Sequence, residues 1–141
     1  MNKIFCCQCE KEVEVLLKYG VDIQLNKPEF KDIPYWVCII CNNYVGCHKD
    51  IKLTPLGVIG TPEIRKKRQL IHSAINYILK QTKKKNKKII IKNIYCYLSK
   101  KLGSPYHASN LRSVNDCENI INIMCDEKWP FLKVYNFFVD N

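Results

Sequence analysis

Two thiol pairs dominate the chemistry available to this chain. Cys6 and Cys9 are separated by two residues, and so are Cys38 and Cys41. A turn with that spacing presents both sulfurs to one ion, and two such turns supply the four thiolates of a tetrahedral zinc site. The 28 residues between Cys9 and Cys38 are enough for a strand, a turn and a returning strand, so the pattern reads as a zinc ribbon. Cys7 stands too close to Cys9 for the usual knuckle turn and is read as a bystander. Cys47 and His48 follow the second pair closely. The competing assignment puts His48 or Cys7 in place of one cysteine. A site closed by four thiolates keeps no position open for water or substrate, so its work is structural.

The second chemical feature is charge. The chain carries a net +10, unevenly spread. From Ile64 to Asn115 there are 14 Lys or Arg and no Asp or Glu, whereas the remaining residues hold 9 basic and 13 acidic side chains. Such segregation points one half of the molecule at a polyanion. Arg65, Lys66, Arg68, Lys84, Lys85, Lys87, Lys88 and Arg112 are the candidates for phosphate contact. Tyr95, Tyr97 and Tyr106 are interleaved with them and offer rings for stacking on unpaired bases, although Tyr95 falls at a core position of a helix. The three histidines, His48, His72 and His107, form a third candidate cluster. With Arg65 and Arg68 they would make a phosphodiester-cleaving site. That chemistry needs a carboxylate or an open metal beside them, and Asp50 and Glu63 lie only at the edges of the group. Binding is therefore the first reading. A small inhibitor or adaptor docking on a host enzyme is the alternative, and catalysis comes after it.

Those groups need elements to position them. At 141 residues the chain suits one domain, or a metal module over residues 1–60 joined to a basic helical module over 61–141. The expected class is α+β: short antiparallel strands followed by about three helices. Glu12–Val15 alternates as a half-buried strand, Lys18–Gly20 reads as a turn, Val21–Leu25 as a second strand, and Tyr35–Cys38 as the strand entering the second knuckle. Thr61-Pro62-Glu63 announces a helix running to about Gln81, with Ile64, Ile71, Ala74, Ile75 and Ile78 on one face. A second helix is expected from about Ile90 to Leu102, closed by Gly103. A third is capped by Ser113 and packs Val114, Cys117, Ile120, Ile121 and Met124. Trp129-Pro130-Phe131 opens a final aromatic segment.

No apolar run approaches the ~18 residues of a membrane span, and the N-terminus lacks the apolar stretch of a secretory signal. Nine cysteines in a reducing compartment favour metal over disulfides. The expected location is the cytoplasm, with nucleic acid as the principal partner.

The order of several blocks resembles a zinc-finger-containing domain family of bacterial and phage proteins. Tyr44, Val45, Gly46 and His48 follow the two thiol pairs, then come Pro55-Leu56-Gly57 and the series Arg65, Arg68, His72. Tyr95, Leu98, Leu102, Gly103, His107 and Cys117 match later blocks. The chain departs from the pattern at His107-Ala108-Ser109, where the family tends to read His-Ile-Gly. The resemblance implies zinc and a bacterial or phage setting, and it implies no reaction.

Overall fold

The computed structural model describes residues 3–141. The chain divides into two compact units, residues 1–63 and 64–141.

The first unit is a four-stranded antiparallel sheet in sequential order: β1 (Lys3–Cys6), β2 (Lys11–Tyr19), β3 (Pro34–Cys38) and β4 (Tyr44–Gly46). β2 is the long central strand. It pairs Ile4 with Val13 on one side and Val15 with Cys38 on the other, so both strands that lead into a cysteine turn are in register with it. Ile4, Cys6, Val13, Val15, Cys38, Val45 and Ile59 pack as one core, with Trp36 against it. The Trp36 indole N–H donates to the Leu53 carbonyl at 2.7 Å, which satisfies the ring's one polar group.

Both edges of this sheet are occupied by one following segment. Leu56 N–H donates to Gly46 O on the β4 edge at 2.9 Å. Further along, Ile59 N–H donates to Phe5 O on the β1 edge at 2.9 Å, and Cys7 N–H donates back to Ile59 O at 2.8 Å. The row of open backbone groups that invites a foreign strand is thereby closed on each side.

The connection from β2 to β3 corrects the sequence reading. Val21–Leu25 is a series of turns, not a strand. The Asp22 carboxylate accepts from Tyr19 N–H, and Asp22, Ile23 and Leu25 N–H donate to carbonyls of Tyr19 and Gly20. Local bonds of this kind compete directly with a ladder. Gly20 is indispensable here: a Cβ on it would lie 1.8 Å from the Phe30 carbonyl oxygen.

The second unit is helical: α1 (Pro62–Lys80, its first residues belonging to the first unit), α2 (Lys87–Leu102), α3 (Val114–Cys125) and the short α4 (Tyr135–Asp140). The buried residues of α1 are Ile64, Ile71, Ala74, Ile75 and Ile78, the face its periodicity predicts. α2 begins three residues earlier than Ile90 and buries Ile94 and Leu98. Its end is set by Gly103 at φ 75°, whose N–H donates to Ser99 O. Ser113 caps α3 by accepting from Asp116 N–H at 3.0 Å, while the Asp116 carboxylate takes the Arg112 N–H rather than that of Ser113.

Specific tertiary ties hold this unit together. The Arg68 guanidinium donates to the Leu111 carbonyl, and Lys67 pairs with Glu118 at 2.8 Å. Trp129, only 2% exposed, meets Tyr97 and Phe131 edge-on. No helix among the described residues is long and apolar enough to cross a membrane.

Candidate metal centre

The two cysteine turns are built alike. β1 delivers Cys6 and β3 delivers Cys38, each the last residue of its strand. Three residues later come Cys9 and Cys41, and the next residues, Glu10 and Asn42, both take the left-handed conformation at φ 56° and 66°. That reversal lets Glu10 N–H donate to Cys6 O at 2.8 Å and Asn42 N–H to Cys38 O at 3.0 Å. Each turn thus folds its second sulfur back over the first. Ile40 N–H also points at the Cys38 sulfur, 3.4 Å away.

The pairing β1–β2–β3 brings the two turns together. The Sγ atoms of Cys6, Cys9, Cys38 and Cys41 all lie within 4.8 Å of one another. Across the turns, Cys6 Sγ stands 3.5 Å from Cys41 Sγ and Cys9 Sγ 3.8 Å from Cys38 Sγ. These are not disulfides, which require ~2.05 Å. Four sulfurs at ~2.3 Å from a common centre stand about 3.8 Å apart, so the spacing fits a tetrahedral thiolate site. Among the described residues, Cys7 and His48 lie outside this group. Cys7 uses its backbone to pair with Ile59, and His48 uses its own to donate to Thr54 O.

The electrostatics of the bare thiols follow from their surroundings. Burial pushes the Cys6 thiol up to about 12, and the nearby thiols add to that, against backbone N–H groups that favour the thiolate. Burial and the Cys38 thiol raise Cys9. Burial, the largest influence, acts to raise Cys38, but the backbone N–H groups of Cys41 and Ile40 together with the Cys41 and Cys9 thiols outweigh it and hold this thiol below its usual range. A cation at the centre supplies the positive charge that such a buried set of thiolates otherwise lacks.

The other cysteines are elsewhere. Cys117 is fully buried in α3 and packs as a small apolar side chain, Cys96 is exposed and Cys125 half-buried. Cys47 is raised by burial and by the Asp50 carboxylate.

The basic candidates all lie on the second unit. Lys66, Lys84, Lys85, Lys88 and Arg112 are exposed, and Arg65, Arg68 and Lys87 are half-buried. Arg68 is committed to the Leu111 carbonyl and therefore ties α1 to the loop before α3. Lys84 and Lys85 form a single helical turn that runs into α2, whose first turn carries no acidic residue. The three histidines are exposed, His48 in the first unit and His72 and His107 in the second. Sequence reasoning passed over two features here. One is the left-handed Glu10, for which the repeat of a Cys-x-x-Cys-x pattern was the available signal. The other is a cleft beside His107.

No curated protein sequence and no solved structure gives a significant match to this chain. One family model does match, over residues 3–127, and it describes a zinc-finger-containing domain. With both cysteine turns inside that span, the chain belongs to this zinc-finger-containing domain family.

Proposed function

We propose that this protein is a nucleic-acid-binding module whose four-cysteine centre carries a structural Zn2+. In this reading the ion does no chemistry on a substrate. It fixes the ends of β1 and β3, and with them the first unit, whose small apolar core is supplemented by metal–thiolate bonds. Contact with phosphate falls to the second unit. The observation that carries the reading is the run from Ile64 to Asn115, with 14 cations and no carboxylate. An isolated lysine run is commonly a solvated linker, but here it continues into α2 with Lys87, Lys88 and Lys92, and the N-terminal half of α1 carries Arg65, Lys66, Lys67 and Arg68. The same stretch contributes no carboxylate of its own, although Glu118 beyond it pairs with Lys67, so the net charge of the stretch is strongly positive and favours an external polyanion. A setting inside a bacterial or phage-infected cell accords with nine cysteines, none of them in a disulfide.

The test is fluorescence anisotropy with labelled DNA and RNA across a salt series. Binding through phosphate loses affinity steeply and log-linearly with salt. Replacing Lys84, Lys85, Lys87 and Lys88 together by Ala should weaken binding to every sequence alike and flatten the salt slope. An absence of binding at low salt would end this reading.

A further inference from the structure

The second unit contains a cleft of about 240 Å³ between the end of α2, the loop 103–113 and the first turns of α3. Its apolar lining is Leu102, Pro105, Tyr106 and Leu111. Its polar lining is Ser104, His107, Asn110, Asp116 and Asn119. Asp116 and Asn119 are three residues apart on α3, hence neighbours on one helical face. Their alternates Cys117 and Ile120 face the core. The cleft therefore combines apolar and polar lining, part of it carried by the rigid α3. Tyr106 is held by its N–H, which donates to Ser99 Oγ at 2.9 Å, and by edge-on contact with Tyr95 at 5.6 Å.

The volume falls below the roughly 300–1,000 Å³ typical of sites for drug-sized ligands, so it suits a single ring system. The chemistry narrows the ring further. Two side-chain amides and the Asp116 carboxylate, one oxygen of which already accepts from Arg112 N–H, offer both donors and acceptors, while Leu102, Pro105, Tyr106 and Leu111 supply apolar lining. Asn and Asp are the side chains that read base edges through paired hydrogen bonds. Exposed His107 lines the cleft, and exposed Arg112 is one residue past its lining residue Leu111.

We infer that this cleft receives one unpaired nucleobase of a single-stranded nucleic acid, with Asn110, Asp116 and Asn119 reading its edge. The inference deepens the proposed function and rests on it. A base inside a duplex cannot enter, so the cleft confers preference for single strands over duplex. A base with an exocyclic amine suits the Asp116 carboxylate better than uracil, which lacks one.

The experiment titrates 5′-mononucleotides into the zinc-loaded full chain and follows the side-chain amide resonances of Asn110 and Asn119, with ribose 5-phosphate and inorganic phosphate as base-free probes. The inference expects shifts at both amides with adenosine, guanosine or cytidine monophosphate and none with the base-free probes. Asn119→Ala, an exposed helical substitution that leaves the core untouched, should weaken the mononucleotide about tenfold. It should also reduce the preference for single-stranded over duplex oligonucleotide. Unmoved Asn110 and Asn119 resonances at saturating mononucleotide would overturn the inference, as would identical shifts with inorganic phosphate. The quadruple lysine variant separates the two levels. If it abolishes polymer binding while Asn119→Ala changes nothing, the cleft fails and the phosphate-binding proposal stands. If mononucleotide shifts appear and no polymer binds, the phosphate-binding proposal fails instead.

Discussion

Replacing Glu10 by glycine should stabilise the first unit. Glu10 is exposed and sits at φ 56°, on the far side of the first cysteine turn, where its N–H is bound to Cys6 O. A residue with a Cβ is disfavoured there by roughly 1–2 kcal/mol. Glycine removes that strain but gives up more backbone freedom on folding, roughly 0.5–1 kcal/mol. The difference leaves a gain of about 0.5–1 kcal/mol for Glu10→Gly. Asn42 occupies the matching position in the second turn at φ 66°. Asparagine tolerates this conformation, so Asn42→Gly should gain close to nothing. The assay is hydrogen exchange of the β2 amides Val13 and Val15 in zinc-loaded protein, which reads the stability of this unit alone. A gain of that size slows exchange by about two- to fivefold when exchange requires opening of the sheet. Faster exchange in Glu10→Gly, or an equal gain in both variants, would refute the idea that the two turns share one geometry and differ only in how well their left-handed residue suits it.

Three further outcomes follow from other parts of the chain. Gly20→Ala should cost at least about 2–3 kcal/mol, because the clash is with Phe30 backbone and moving it breaks Gly20 N–H to Ile33 O and Val21 N–H to Lys31 O; a thermal midpoint equal to that of the parent would contradict the turn geometry. Cys38→Ser should lose bound zinc and the sheet signals of the first unit while the helical circular dichroism of the second persists, since structural zinc contributes on the order of 10–16 kcal/mol; full zinc content in the variant would count against its ligand role. The Tyr106 phenol is 3% exposed and its hydroxyl has no hydrogen-bond partner among the described residues. Burial holds its pKa above the value of ~10 in an unfolded chain, so its contribution to stability is intact below pH 10 and is lost as the pH rises beyond it. Tyr106→Phe should lose less stability between pH 10 and 11.5 than the parent, and should gain about 1 kcal/mol at neutral pH; parallel pH profiles in chemical denaturation would show that the ring is not in this environment.

The parts of this fold that were legible in sequence are those where local chemistry and tertiary demand agree. The α1 face read correctly because all five apolar positions recur at helical spacing and all five are buried. Ser113 and Gly103 marked helix ends because their side chain, or the lack of one, acts on the adjacent backbone. Cysteine spacing marked the two turns for the same reason. β1 was invisible, since Lys3–Cys6 is four residues long and owes its extended form to pairing with Lys11–Glu14. Val21–Leu25 misled in the opposite sense: its apolar alternation is that of a strand, but the Asp22 carboxylate and the close approach of Phe30 to Gly20 give its backbone nearer partners. The start of α2 was placed late because a run of β-branched Ile89–Ile91 hides a helix already begun at Lys87. The cleft could not be read at all, because Leu102, Asn110 and Asn119 converge only through packing.

Zinc stoichiometry combined with X-ray absorption at the zinc edge bears most directly on the four-cysteine centre. The account predicts one zinc per chain, held by four sulfurs at ~2.3 Å with no nitrogen or oxygen neighbour. A first shell containing imidazole nitrogen, or purified protein that binds no zinc with its thiols reduced, would contradict it.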